Sequence, residues 1–358
     1  MQDKYIVFQI DGGIGKSIIA TAVCAAIKKQ FPKHKLIVIT GYPEVFLLNP
    51  DVDVKLGFGE LSYFYEKYVE GHENENKYFL LNPYLTTDFI NHKGHLIQVW
   101  CEMFGIQYNG EKPKLYLNQR EIDFYSKYYN TQKPILAIHT NGGAPNQPNK
   151  YSWARDLPHD IAQQLVNNFA QHYTVYHIRR EDQLPLQNTI PVQADFRSIA
   201  VLIAISAKRL FIDSFCQHLA AALDLESVVT WIVNTPEQFG YEMHTNIIAN
   251  PQTRKPELKF AQFTPFNIGG NPLEFPYNNE GEIFNVQSIG DAVINTPKPQ
   301  VTAPLQVPVA LSHQMENKIQ PIQEPEDEKN IKNGKTKKEA KTEKIEVENS
   351  LNGNEEKE

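Results

Sequence analysis

The sequence predicts an α/β protein built from two doubly wound halves, each around an open sheet. Three observations predict it. Short apolar runs with β-branched residues alternate with helical stretches from residue 5 to residue 233. Two of these runs, Tyr5–Ile10 and Pro134–His139, each open such a series and each lead into a glycine-containing loop. The strand-to-strand connection in the first half has the crossover length of a parallel βαβ unit. The chain has 358 residues, 41% of them hydrophobic, which suits two domains at roughly 100–200 residues each.

Tyr5–Ile10 (YIVFQI) reads as a strand ended by the turn Asp-Gly-Gly-Ile-Gly. Ser17–Ile27 is apolar and periodic and is followed by Lys28 and Lys29, cations that suit a helix C-terminus. Lys35–Thr40 (KLIVIT) is the second strand. Tyr63–Tyr129 is rich in Tyr, Phe and Asn and reads as an irregular remainder, helical near Gln119–Tyr129. The second half repeats the scheme. Pro134–His139 is a strand, Leu157–Phe169 a helix and Tyr173–Ile178 a strand. Ile199–Ser206 is a helix, Arg209–Ile212 a strand, Gln217–Leu223 a helix and Val228–Val233 a strand. From Pro297 the chain turns Pro- and Gln-rich. After Pro325 it carries dense charge of both signs and no aromatic residue. Such a segment buries too little apolar area to offset its ordering entropy, so 297–358 reads as a linker and disordered tail. A short solvated helix at Lys335–Glu348 is the alternative there. The expected divisions are therefore 1–130, 131–296 and 297–358.

Composition narrows the function classes. A net charge of −7 argues against a nucleic-acid binder, whose domain carries a basic excess. No apolar run reaches the ~18–20 residues that span a bilayer. The start, MQDKYIVFQID, lacks the basic and apolar regions of a secretory signal. Cys24, Cys101 and Cys216 are widely spaced and form no disulfide framework. A reducing cytoplasm is the expected location.

The loop Asp11–Ser17 (DGGIGKS) follows a strand and opens a helix, the context of a phosphate-binding turn. A P-loop needs a further Gly where Ile10 stands. The loop also resembles the deviant Lys-Gly-Gly-x-Gly-Lys-Ser/Thr loop of partition-type ATPases, with Asp11 in place of their signature lysine. Three readings stay open here: an ATPase built on Gly12–Ser17, glycines that only permit a tight turn, or a sugar- or phosphate-facing loop in a two-domain transferase.

Three further stretches bear on the choice. Lys28–Gly57 contains Phe31-Pro32, a strand and Asn49-Pro50-Asp51-Val52-Asp53. Asn149–Leu165 reads NKYSWARDLPHDIAQQL. Ser198–Thr235 contains Asp213 and, in register, His218 to Leu223. In this order and spacing the stretches resemble the family 9 glycosyltransferases, the lipopolysaccharide heptosyltransferase family, over about residues 5–296. The resemblance implies the GT-B fold: two facing Rossmann-like domains, with the acceptor on the first and a nucleotide-activated sugar on the second. It implies sugar transfer to a hydroxyl of a glycan or glycolipid, inverting and without a metal. No cofactor is expected beyond the nucleotide-sugar co-substrate, and any membrane contact is peripheral, through the acceptor. A homologue that binds the donor without turnover is a further alternative, beside the ATPase.

The same resemblance assigns roles. Asp213 would accept hydrogen bonds from sugar hydroxyls, with Ser214 beside it; either residue would otherwise be only a helix N-cap. The backbone N–H groups of Cys216, Gln217 and His218 would cradle a diphosphate. His218 would face the phosphate or be a packed side chain. Lys150 matches the family lysine that neutralises donor phosphates, and Thr140 and Asn141 would donate to them. Arg179 and Glu181 end the next strand, towards the nucleoside. Gly12, Gly13, Gly15 and Lys16 form the phosphate or acceptor loop. The family usually has Asp, read as the general base, where this chain has Lys16. A lysine at an unperturbed pKa of ~10.4 is no base at neutral pH. Asp11 and Glu44, past the ends of the first two strands, are the expected bases; otherwise Lys16 binds phosphate for a different acceptor, or catalysis is lost.

Overall fold

A computed structural model describes residues 3–143, 152–256 and 277–297. Lys150 lies outside the described residues, as do the linker, the tail and the Lys335–Glu348 helix expected from the sequence. The described residues all fall within one compact unit.

The first half is a parallel four-stranded sheet of β1 (Lys4–Ile10), β2 (His34–Thr40), β3 (Val54–Gly57) and β4 (Lys77–Phe79), in the order β3-β2-β1-β4. Its helices are α1 (Ile14–Gln30), α2 (Phe64–Tyr68), α3 (Thr87–Ile90), α4 (Leu96–Met103) and α5 (Gln119–Tyr125). The second half is a parallel six-stranded sheet of β5 (Ile135–His139), β6 (Thr174–Ile178), β7 (Ile190–Val192), β8 (Lys208–Ile212), β9 (Val228–Trp231) and β10 (Thr245–Ile248). Its order is β10-β9-β8-β5-β6-β7. It carries α6 (His159–Phe169), α7 (Phe196–Ile205), α8 (Phe215–Ala222), α9 (Pro236–Phe239) and α10 (Val286–Asn295).

The long elements stand where the sequence places them. The differences have local causes. Helix α1 begins three residues before Ser17 because Gly13, in extended backbone, serves as its N-cap. The segment Tyr63–Tyr129, expected to be irregular, contains β4, four helices and a 3-10 turn at Ser126–Tyr129 that follows α5. The strands that sequence reading passed over, β3, β4, β7 and β10, have only three or four residues. So short a run shows no usable period.

Helix α1 is buried almost all round, from Lys16 to Ile27. It lies on β1 and also against α4 and α8. One apolar cluster therefore runs from Ile6 and Phe8 in β1, through Ile19 and Val23 in α1, to Leu219 in α8 and Trp231 in β9. Polar ties cross the same seam. Arg197 in α7 meets Glu121 in α5 at 2.8 Å and donates to the Tyr116 carbonyl. The Leu115 N–H donates to the Ala222 carbonyl at 2.9 Å.

In each sheet the strand order reverses at one place. In the first sheet β1 has β2 on one side and β4 on the other. In the second sheet β5 has β6 on one side and β8 on the other. Ligands of open parallel sheets bind outside the carboxyl ends of the strands at such points. Those ends carry the loop Asp11–Gly13, the segment Thr140–Gly143, and Asp213-Ser214.

Candidate functional site

A cavity of about 1230 Å³ opens where these strand ends meet. The first half supplies Gly13, Ile14, Gly15, Lys16, Ile19, Tyr42, Tyr84 and Phe89 to its wall. The second half supplies residues after β5 (Asn141–Gly143), after β6 (Arg179–Gln183) and after β8 (Asp213–Phe215), with Arg155, His218 and Asn234.

The wall is shaped by how each loop is tied. Gly12 has φ 104°, a left-handed conformation that a side chain disfavours, and it turns the chain from β1 into α1. Gly15 is a point of close approach between the halves. A Cβ there would stand 3.3 Å from His218 Cδ2 and 3.4 Å from Phe215 Cα. The first turns of α1 and α8 therefore meet at the cavity. Neither helix has a side-chain cap, and neither has an acidic residue in its first turn. Free N–H groups and the positive dipole end of both helices thus face one space. Helices α3, α4, α5, α7 and α10 are each capped by a side chain, whereas α2, α6 and α9 are not.

After β5, Asp156 fixes the loop. Its carboxylate accepts from the N–H groups of Gly142 and Ser152, both at 2.8 Å, and from Asn141 Nδ2 at 3.3 Å. Burial pushes its carboxyl above the ordinary range, against those hydrogen bonds. Gln183 and Arg180 hold the same loop from the other side by donating to the Gly142 carbonyl. Arg155 enters the cavity over this loop. Among the described residues its guanidinium has no hydrogen-bond partner, whereas Arg179 donates to three backbone carbonyls.

Asp213 is buried at the end of β8 and accepts from Asn234 Nδ2 at 2.5 Å. Burial raises its pKa, opposed by Arg155 and by that hydrogen bond. It does not cap α8; Ser214 takes the N-cap position, with its Oγ 2.7 Å from His139 Nδ1. Burial pushes the His139 imidazole down to about 3. His218 is held below its ordinary value by burial and by the nearby His95 and His244. Its Nδ1 lies 3.0 Å from Tyr241 Oη.

The residues singled out from the sequence therefore divide. Asn141, Asp213, Ser214 and His218 line the cavity, together with Gly13, Gly15, Lys16, Arg179 and Glu181. Thr140, Cys216 and Gln217 lie buried behind it. The Thr140 hydroxyl is engaged with Asn141 Oδ1 and His177 Nε2, and Gln217 Nε2 donates to the Phe239 carbonyl. Asp11 and Glu44 are not among the lining residues; Asp11 is exposed and accepts from Gln9 Nε2 at 3.0 Å. Sequence reading passed over Arg155, Tyr84 and Asn234. Arg155 has a signal in the sequence, since it lies within the stretch Asn149–Leu165.

Lys16 differs most from expectation. It is 6% exposed. Its Nζ donates to Asn82 Oδ1 at 2.9 Å and lies 4.9 Å from the Tyr84 ring centre and 5.1 Å from that of Trp100. Burial pulls the amine down to about 8, with the Asp11 carboxylate opposing weakly. The following Ser17 hydroxyl is buried 3.0 Å from that of Thr40. A P-loop needs that lysine on phosphate and that hydroxyl on a metal ion. Here both are engaged with the protein, so the ATPase reading is not favoured.

No family model matches the sequence, and no curated protein does. Solved structures do match in shape. A family 9 glycosyltransferase from Veillonella parvula superposes with a TM-score of 0.55 at 12% identity, over 81% of this chain and 95% of that one. The heptosyltransferase TibC, in complex with ADP-D-β-D-heptose, gives a TM-score of 0.53 at 13% identity, over 82% and 75%. The Escherichia coli ADP-heptose lipopolysaccharide heptosyltransferase II gives 0.51 at 13%, over 68% and 89%. The fold is that of the GT-B glycosyltransferases. In GT-B terms the four-stranded sheet is the N-terminal half and the six-stranded sheet the C-terminal half. Among the described residues no helix is long and apolar enough to cross a membrane.

Proposed function

We propose that this protein is a glycosyltransferase that moves a sugar from a nucleotide-activated donor to a hydroxyl of a glycan or glycolipid acceptor. The observation that carries the reading is the convergence of two uncapped helix ends and Arg155, whose guanidinium has no hydrogen-bond partner among the described residues, on one cavity between the two halves. A departing nucleoside diphosphate gathers negative charge. Fixed N–H dipoles and a guanidinium stabilise that charge without reorganising. The donor sits on the C-terminal half, with its diphosphate at the start of α8 and against Arg155. Glu181, at the end of β6, meets the nucleoside, and Asp213 accepts hydrogen bonds from the sugar. The acceptor enters from the N-terminal half beside Gly13–Lys16.

The solved relatives suggest which donor to try first: TibC holds ADP-D-β-D-heptose. A thermal-shift panel of ADP-, UDP-, GDP- and CDP-sugars, with ATP and Mg²⁺ as the contrast, tests the reading. A nucleotide sugar at 100 times its Kd should stabilise the folded chain by ~2.7 kcal/mol, a rise of several degrees. A shift with Mg·ATP alone would falsify the transferase reading, and a shift without turnover would leave a binding protein.

A further inference from the structure

We propose that Lys16 is the base of the transfer, its neutral amine taking the proton of the attacking acceptor hydroxyl. The inference rests on the transferase reading above and assigns a group that this reading leaves open. The first half brings Gly13, Ile14, Gly15, Lys16, Ile19, Tyr42, Tyr84 and Phe89 to the cavity. None of them is a carboxylate, so the acceptor side of the site offers one amine and two phenols as proton acceptors. Tyr84 is a poor candidate, since burial raises it further from neutrality. Asp11 and Glu44 stand outside the lining.

The setting of Lys16 suits the role. The amine has no salt-bridge partner among the described residues, only the neutral Asn82 oxygen. That one hydrogen bond orients Nζ and leaves its lone pair for a second partner. Several charged or titratable groups face it. Asp11 lies on the loop before α1, Tyr84 on the turn after Asn82, and His218 on α8 beside Gly15. Arg155 and Asp213 line the same cavity, and α4 presents the Trp100 ring. Burial disfavours the ammonium, while the Asp11 carboxylate, the Asn82 oxygen and the Tyr84 and Trp100 faces favour it. The amine is thus brought closer to neutrality than an exposed lysine.

The step balances. The Nζ lone pair takes the hydroxyl proton as the acceptor oxygen bonds to the anomeric carbon. The bond from that carbon to the phosphate oxygen breaks, and its electron pair leaves on the nucleoside diphosphate. Lys16 ends as an ammonium and returns its proton to water before the next turnover. The Tyr84 and Trp100 faces attract that ammonium as it forms, so they assist most where the charge develops.

The test separates a base from a phosphate-binding cation. In the wild type, kcat/KM should rise with pH and level off near 8. Lys16→Arg keeps the charge but cannot give up its proton; Lys16→Met removes both. Each should lose about 10²–10⁴-fold in kcat, the usual scale for a general base. Donor Kd by calorimetry should change less than about threefold, since phosphate binding does not depend on Lys16. Lys16→Asp should recover part of the turnover, with the rise moved to acid pH. Turnover in Lys16→Arg near that of the wild type overturns the proposal, as does a wild-type profile flat from pH 6 to 9. A wild type that binds no nucleotide sugar overturns the transferase reading itself, a distinguishable result.

Discussion

Arg155→Ala is expected to weaken nucleotide-sugar binding by about 10–100-fold, read as Kd by titration calorimetry. The side chain reaches a cavity wall where two helix ends already point, and among the described residues nothing else holds its guanidinium. A charge-assisted hydrogen bond contributes about 1.5–3 kcal/mol, and ~1.4 kcal/mol is tenfold in affinity. Gly142→Ala tests the same contact from the other side. A Cβ at Gly142 would stand 2.7 Å from Arg155 Cδ. That is too close, yet the arginine stem can swing away. The variant should fold normally and still lose donor affinity. Unchanged Kd in both variants would place the diphosphate elsewhere in the cleft.

The second large effect is on stability against acid. His139, His177 and His244 are buried and neutral, pushed by burial to about 3, 4 and 4. His177 is fully buried 2.9 Å from the Thr140 hydroxyl, and His244 lies between the Gln217 carbonyl and Ser227. In the unfolded chain each titrates near its ordinary value of about 6.5. Between those values the unfolded state binds more protons, so stability falls as pH falls. The contribution is fully present above about pH 6.5 and is lost progressively towards pH 4. At about 1.4 kcal/mol per unit of depression, the three together offset several kcal/mol. A typical domain has a total of only about 5–15 kcal/mol. The melting temperature should therefore drop steeply between pH 6.5 and 4. His177→Gln should flatten part of that drop. A melting temperature constant over the range would show that these histidines are not buried in solution.

What could be read from the sequence follows from where the information lies. The βα rhythm and the glycine loop are local patterns of ten or twenty residues, and they place β1, α1, β5, β8 and α8 correctly. The motif order pointed to GT-B. The short strands β3, β4, β7 and β10 exist because neighbouring strands of the sheets pair with them, and no window around them shows it. Lys16 is the clearest case. Its sequence neighbours are glycines, Ile14 and Ser17, and predict an ordinary exposed ammonium. Its altered chemistry comes from Asn82, Tyr84 and Trp100, all far along the chain. Arg155 is free to act only because Asp156 and Gln183 hold the adjoining loop without it.

The apolar cluster that passes from β1 through α1 and α8 to β9 bears on how the molecule comes apart. Two sheets joined only by a hinge would melt separately, each with its own midpoint. Here Val23 and Leu219 belong to one continuous interior, so opening one sheet exposes apolar surface of the other. Residues 3–297 are expected to unfold as a single cooperative transition, with calorimetric and van't Hoff enthalpies in agreement. Loops around the cavity can then move without exposing the shared interior of α1 and α8.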